Sequence, residues 1–115
     1  MVMVLMMVSM GYAATGTVSW VAPTTNTDGS PLTDLTGYNV YSSPTSSGTF
    51  VKIGNVSVTS YVDTFSVPNN TSVNKCYEVT AVNSVNRESV FSNVGCKVFF
   101  GPVVTPNAPT GLTVN

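Results

Sequence analysis

Cys76 and Cys96 are the residues of this chain best placed to do chemistry, and that chemistry is disulfide formation. The stretch between them contains two β-rich runs, Cys76–Val82 and Ser89–Val98, around a polar turn, Asn83–Glu88. That pattern is a hairpin signal. Antiparallel pairing about Asn86 sets Val82 opposite Val90, Thr80 opposite Ser92, Glu78 opposite Val94 and Cys76 opposite Cys96. Cross-strand side chains at such positions come within roughly 4.5–5.5 Å of each other. The chain has no third cysteine. Two thiols in hairpin register fit an oxidising compartment better than a zinc site, which would want four ligands.

Other chemistry finds little to work with. There is no histidine, hence neither the commonest general base nor the commonest metal ligand at neutral pH. Lys52, Lys75 and Lys97 fall on or beside strands and read as solvated face residues. Asn26, Asp28 and Asp34 share one loop, but the closing bidentate glutamate of a calcium loop is missing, so Asp28-Gly29 reads as a turn. No catalytic, cofactor-binding or metal-binding residues are expected, and no enzyme activity.

The elements that must position the cysteines are short strands. The chain has 115 residues, enough for one domain and one core. Four basic and five acidic residues give a net charge of −1, which excludes a nucleic-acid surface built on a basic patch. Only 8% of residues are charged, while Thr, Ser, Val and Asn dominate. That composition suits β-strands joined by polar turns. A surface so weakly charged also resists self-association poorly.

Met1–Met10 is almost wholly apolar and is followed by Gly11-Tyr12-Ala13-Ala14. It reads as a signal peptide cut after Ala13 or Ala14, or as a retained hydrophobic segment. Gly16–Val21 alternates, with Val18 and Trp20 on one face, and Pro23 ends it. Thr24–Thr36 is a turn-rich loop. Gly37–Tyr41 is a second strand, with Tyr38 and Val40 pointing one way. Phe50–Ile53 and Ser57–Asp63 follow, then a turn at Val67–Asn70 into the cysteine hairpin. Six strands at this spacing suggest a sandwich.

In four places the residues resemble a fibronectin type III domain. These are Val18-Ser19-Trp20-Val21-Ala22-Pro23, Gly37-Tyr38-Asn39-Val40-Tyr41, Tyr77-Glu78-Val79-Thr80-Ala81-Val82-Asn83-Ser84, and Glu88-Ser89 with Ser92-Asn93-Val94. In the family these are strands B, C and F and the loop into G. The resemblance covers roughly residues 16–98. It implies an all-β, immunoglobulin-like sandwich with Val18, Trp20, Tyr38, Val40, Tyr77, Val79 and Ala81 in its core. Lys75 stands where the family's tyrosine corner is expected, so the disulfide would hold strand F instead. The F–G loop reads Val-Asn-Arg-Glu, so the family's integrin-binding Arg-Gly-Asp is not carried over.

The resemblance also implies a gap. The family has a strand A ahead of strand B, and little chain precedes Gly16 if the leader is removed. The tail, however, contains Pro109-Thr110-Gly111-Leu112-Thr113-Val114, which is similar to a strand A. The expected organisation is therefore 1–13 as signal or hydrophobic segment, 14–100 as the domain, and 101–115 as a Pro-rich tail.

Three readings of the ends follow. The tail donates a strand head to tail to a second copy, with Pro109, Leu112 and Val114 as assembly residues, and builds an extracellular filament. It is a linker remnant of a tandem array. Or Met1–Met10 supplies strand A itself. The alternative function is an extracellular binding module for a glycan or a protein. Tyr61, Phe65, Phe99 and Phe100 could offer sugars an aromatic surface, though packing between strands is the simpler use of them. Sequons at Asn55, Asn69 and Asn70 matter only in a host that glycosylates.

Overall fold

β-Branched and aromatic residues alternate with small polar ones along the chain, and the result is six strands and, among the described residues, no helix. The computed structural model describes residues Tyr12 to Asn115. The run Met1–Met10, and with it the reading of that run as a strand, lies outside the described residues.

The strands are β1 (Tyr12–Ser19), β2 (Leu35–Ser43), β3 (Val51–Val56), β4 (Ser60–Val67), β5 (Ser72–Asn83) and β6 (Gly95–Phe100). They form two antiparallel sheets. One pairs β1 with β4, and the other has the order β3-β2-β5-β6. β1 begins at Tyr12, so the candidate cleavage site after Ala13 or Ala14 lies inside this strand.

The sheets face each other across a small core. Tyr38, Val40, Tyr77 and Val79 from the larger sheet are buried at its centre. Val18, Trp20 and Ala81, expected in the core, pack against this cluster but are only half-buried. Trp20 meets Tyr38 edge to face at 5.2 Å between ring centres. Phe65 and Phe99 make a similar contact at 4.8 Å. Tyr61 packs against the core and donates its hydroxyl to the Ile53 carbonyl at 2.9 Å. Three of the four aromatics weighed as a sugar surface are thus packed, and Phe100 alone is exposed.

The cysteine hairpin has the expected closure but a different turn end. Cys76 stands opposite Cys96 and the two are bonded. Toward the turn the register slips, so that Val82 bridges Glu88 rather than Val90. Ser89–Val94 is no ladder strand, although a strand was expected from Ser89. Serine hydroxyls explain the difference. Ser92 Oγ and Ser89 Oγ accept the backbone N–H groups of Val79 and Ala81, each at 2.9 Å, where a regular ladder would use carbonyls. Short hydroxyl side chains compete with the backbone in this way.

Lys75 also departs from expectation. Its amine pairs with Asp63 at 3.2 Å and lies 4.9 Å from the Phe65 ring centre, bridging the two sheets instead of standing in solvent.

Candidate functional site: an open sheet edge beside an apolar groove

Among the described residues, β1 is paired on one side only, by β4. Alternate residues along its other edge therefore present N–H and C=O groups with no ladder partner. β6 is likewise paired on one side only among these residues, by β5. Between these two free edges runs a groove of about 360 Å³, whose walls include Gly16, Val18, Trp20, Val79 and Phe99. A second cavity of about 240 Å³ shares Trp20, Val79 and Ser92 and continues past Pro23, Val90 and Phe91. Trp20 lines both, and its indole N–H is buried without a hydrogen-bond partner among the described residues. Such an orphan costs about 1–3 kcal/mol.

Gly16 shapes the floor. A Cβ there would lie 3.1 Å from both the Phe99 ring and the Tyr77 hydroxyl, so the missing side chain is what lets these two groups close against β1. Beside it, burial and a hydrogen bond to Asp63 at 2.7 Å push the Tyr77 hydroxyl far above the usual tyrosine range. It stays neutral and donates. Lys97 lines the groove directly across the ladder from Lys75, and its amine lies 5.0 Å from the Phe99 ring centre. Asp63 serves Lys75, which leaves Lys97 unpaired among the described residues and the groove wall cationic.

The wall formed by Ser89–Ser92 is fixed from the outer face of the larger sheet. The Glu88 carboxylate accepts from Asn39 Nδ2 at 2.6 Å, from the Tyr41 hydroxyl at 2.8 Å and from Thr80 Oγ1 at 3.2 Å. Asn39 and Thr80 are buried, so these bonds also satisfy polar groups that would otherwise be costly. The Tyr41 bond foremost, with help from Asn39 and Thr80, holds Glu88 below its ordinary value of 4.5. A depressed carboxylate contributes stability that is complete above that ordinary value and lost as the pH falls through the lowered one. Wild type should therefore lose thermal stability below about pH 4.5 more steeply than Glu88→Gln. Melting curves of both proteins across pH 3–6 check this, and parallel profiles would remove Glu88 from the role. Asp28 is lowered as well, by its bonds to Ser30, but is common to both proteins.

The tail leaves from the far end of the groove. Gly101 N donates to the Thr71 carbonyl at 2.8 Å, and Asn70 N to the Pro102 carbonyl at 2.9 Å. Val104 N donates to Asn70 Oδ1 at 2.9 Å. These bonds hold residues 101–104 on the β5 side, away from the free edge of β6. Beyond Val104 the tail has no strand pairing. Leu112 and Val114 are 93% and 92% exposed.

The loop weighed for calcium is a turn, with Gly29 at φ 86° and its N–H donated to the Asn26 carbonyl at 2.9 Å. Asp28 is occupied by Ser30, accepting from its N–H at 2.9 Å and its hydroxyl at 2.6 Å.

Two features of the groove were missed in the sequence. The packing of Phe99 and Tyr77 against Gly16 had no signal beyond a glycine in a strand, which can mark a close approach. The cationic wall could have been found from the register already assigned, since Cys76 opposite Cys96 places Lys75 opposite Lys97. No family model, curated protein or solved structure matches this chain.

Proposed function

We propose that this chain is a secreted, non-catalytic structural subunit that assembles head to tail, donating Pro109–Val114 to the open edge of β1 in the next copy. The observation that carries the proposal is a strand edge with no partner among the described residues, beside a groove walled by Val18, Trp20 and Phe99, in a chain whose own strand-like tail is in no strand. We infer an immunoglobulin-like sandwich of the fibronectin type III kind, with no first strand among the described residues. The strand order β1-β4 and β3-β2-β5-β6 supports it, being that family's arrangement with no strand beside the other edge of β1 among the described residues. The disulfide fits an oxidising environment, in keeping with secretion.

Direction decides between self-filling and donation. Tyr12 donates its hydroxyl to the Phe100 carbonyl at 3.4 Å, and Gly16 lies under Phe99, so β1 and β6 run in opposite senses. A strand antiparallel to β1 must enter by Trp20 and Pro23, while the tail leaves by Tyr12. From Tyr12 to Trp20 the strand rises about 26 Å. From the pinned Val104, the chain to Pro109 reaches at most about 18 Å. The tail cannot reach its own mouth in that sense, whereas a neighbour placed in line with it can be reached.

Register follows from size. Residues directly opposite in an antiparallel pair share a face. Leu112 opposite Val18 puts Val114 opposite Gly16, a large residue beside a small one that the Phe99 ring covers. It leaves Pro109, which has no N–H to give, beyond the end of β1. The backbone ladder supplies affinity and the two apolar side chains fix the register. Because each copy offers one donor and one acceptor that do not coincide, the contact propagates and need not close. Removing Gly111–Asn115 should leave a folded monomer. Filaments of normal length from that variant, seen by negative-stain microscopy, would refute the reading.

A further inference from the structure

We infer that consecutive subunits also touch directly, through an apolar cap at each pole, so that the filament is a stack of abutting domains and not beads on a flexible string. The inference rests on strand donation and adds a second contact to it.

The linker sets the distance. Residues 101–104 are bonded to the β4–β5 turn of the donor. Pro109 stands at the acceptor's mouth, near Val21. Only Thr105-Pro106-Asn107-Ala108 lie between, and Val104 to Pro109 spans at most about 18 Å between Cα atoms. Face-to-face sheets already stand about 10 Å apart. A gap of this size admits the side chains of the two poles and little else. Pro106 narrows the choice of paths further by fixing its own φ.

Both poles carry exposed apolar residues suited to that gap. At the exit pole Tyr12, Phe100 and Val103 are exposed, with Phe100 and Val103 lining one shallow cavity. At the mouth Val21 and Val90 are exposed and border the cavity beside Trp20. None of the five is charged, so the caps meet without the like-charge penalty that guards most surfaces. The occupant of each cap is a second copy of this chain, because the donated strand delivers that copy to it and no other.

The test separates the cap from the strand. Phe100→Asp lies outside the groove and leaves the donated segment intact. It should lower the apparent association constant for polymer growth about tenfold, measured by light scattering against concentration. The same variant should bind a synthetic peptide of residues Asn107–Asn115 as tightly as a full-length Leu112→Lys chain does, because the acceptor groove is unchanged. A second variant, with six Gly-Ser residues inserted after Thr105, should still polymerise, but into filaments that bend freely in negative stain. Wild-type growth by Phe100→Asp together with stiff filaments from the insertion variant would overturn the abutting caps. Failure of the peptide to bind any variant would overturn strand donation itself.

Discussion

Leu112→Lys is expected to abolish assembly while leaving the domain folded. Leu112 is almost fully exposed in the free chain, so its replacement removes nothing from the core. In the docked strand it faces Val18 and the Phe99 wall. Burying a leucine side chain is worth about 1.5–3 kcal/mol, and that is lost. The amine that replaces it enters a groove already carrying Lys97, with Lys75 directly across the ladder. An unpaired charge in such a place adds a further penalty of about 3 kcal/mol or more. The sum corresponds to association weaker by at least a thousandfold, using about 1.4 kcal/mol per factor of ten. Thr113→Lys is the matched control. It changes charge equally but points away from the groove in an extended strand, so it should assemble normally. Sedimentation velocity of the two variants at equal concentration reads the difference.

Loss of the disulfide is the second large effect. The bond closes a loop of sequence separation 20, worth about 3 kcal/mol in the chain-entropy model. Among the described residues β6 has no sheet neighbour other than β5, so the bond also helps to secure the groove wall that carries Lys97 and Phe99. The paired change Cys76→Ala with Cys96→Ala should lower the melting temperature by about 15 °C, at about 4–8 °C per kcal/mol for a domain of this size. Calorimetry of the oxidised and reduced wild type should give a similar gap. Assembly should weaken even at temperatures where the reduced domain remains folded, because a loosened β6 no longer shapes the groove. A reduced protein with unchanged melting and growth would remove the bond from both roles.

How much of this was legible in the residues depended on whether a signal was local. Alternation in Gly16–Val21 and Gly37–Tyr41, and the turn chemistry of Asp28-Gly29, placed strands and turns because each is decided within a few residues. The pairing of Cys76 with Cys96 was legible because a hairpin closes over a short distance and there were no competing thiols. The slip of Val82 to Glu88 was not, since it depends on Ser89 and Ser92 turning their hydroxyls to the Val79 and Ala81 amides, a choice no periodicity records. The groove was hidden for a different reason. It is a relation between β1 and β6, which are far apart in sequence. Its floor depends on an absence, the missing Cβ of Gly16 that lets Phe99 and Tyr77 approach β1. The tail lies between these cases, since its strand-like pattern was readable while its pinning by Asn70 and Thr71 was not. That pinning shortens the free linker to four residues, and with it comes the argument for donation over self-filling.

Trp20 gives the most direct test of the central claim. It is the sole tryptophan, it lines both cavities, and its indole N–H has no partner among the described residues. Full-length Leu112→Lys chain, which keeps the groove but cannot donate, is titrated with the peptide Asn107–Asn115 while tryptophan emission is followed. Strand donation predicts a saturable shift in emission, with one peptide per chain, and no shift from a peptide carrying the same Leu112→Lys change. An emission spectrum that stays fixed, with no peptide bound by calorimetry at the same concentrations, would contradict it.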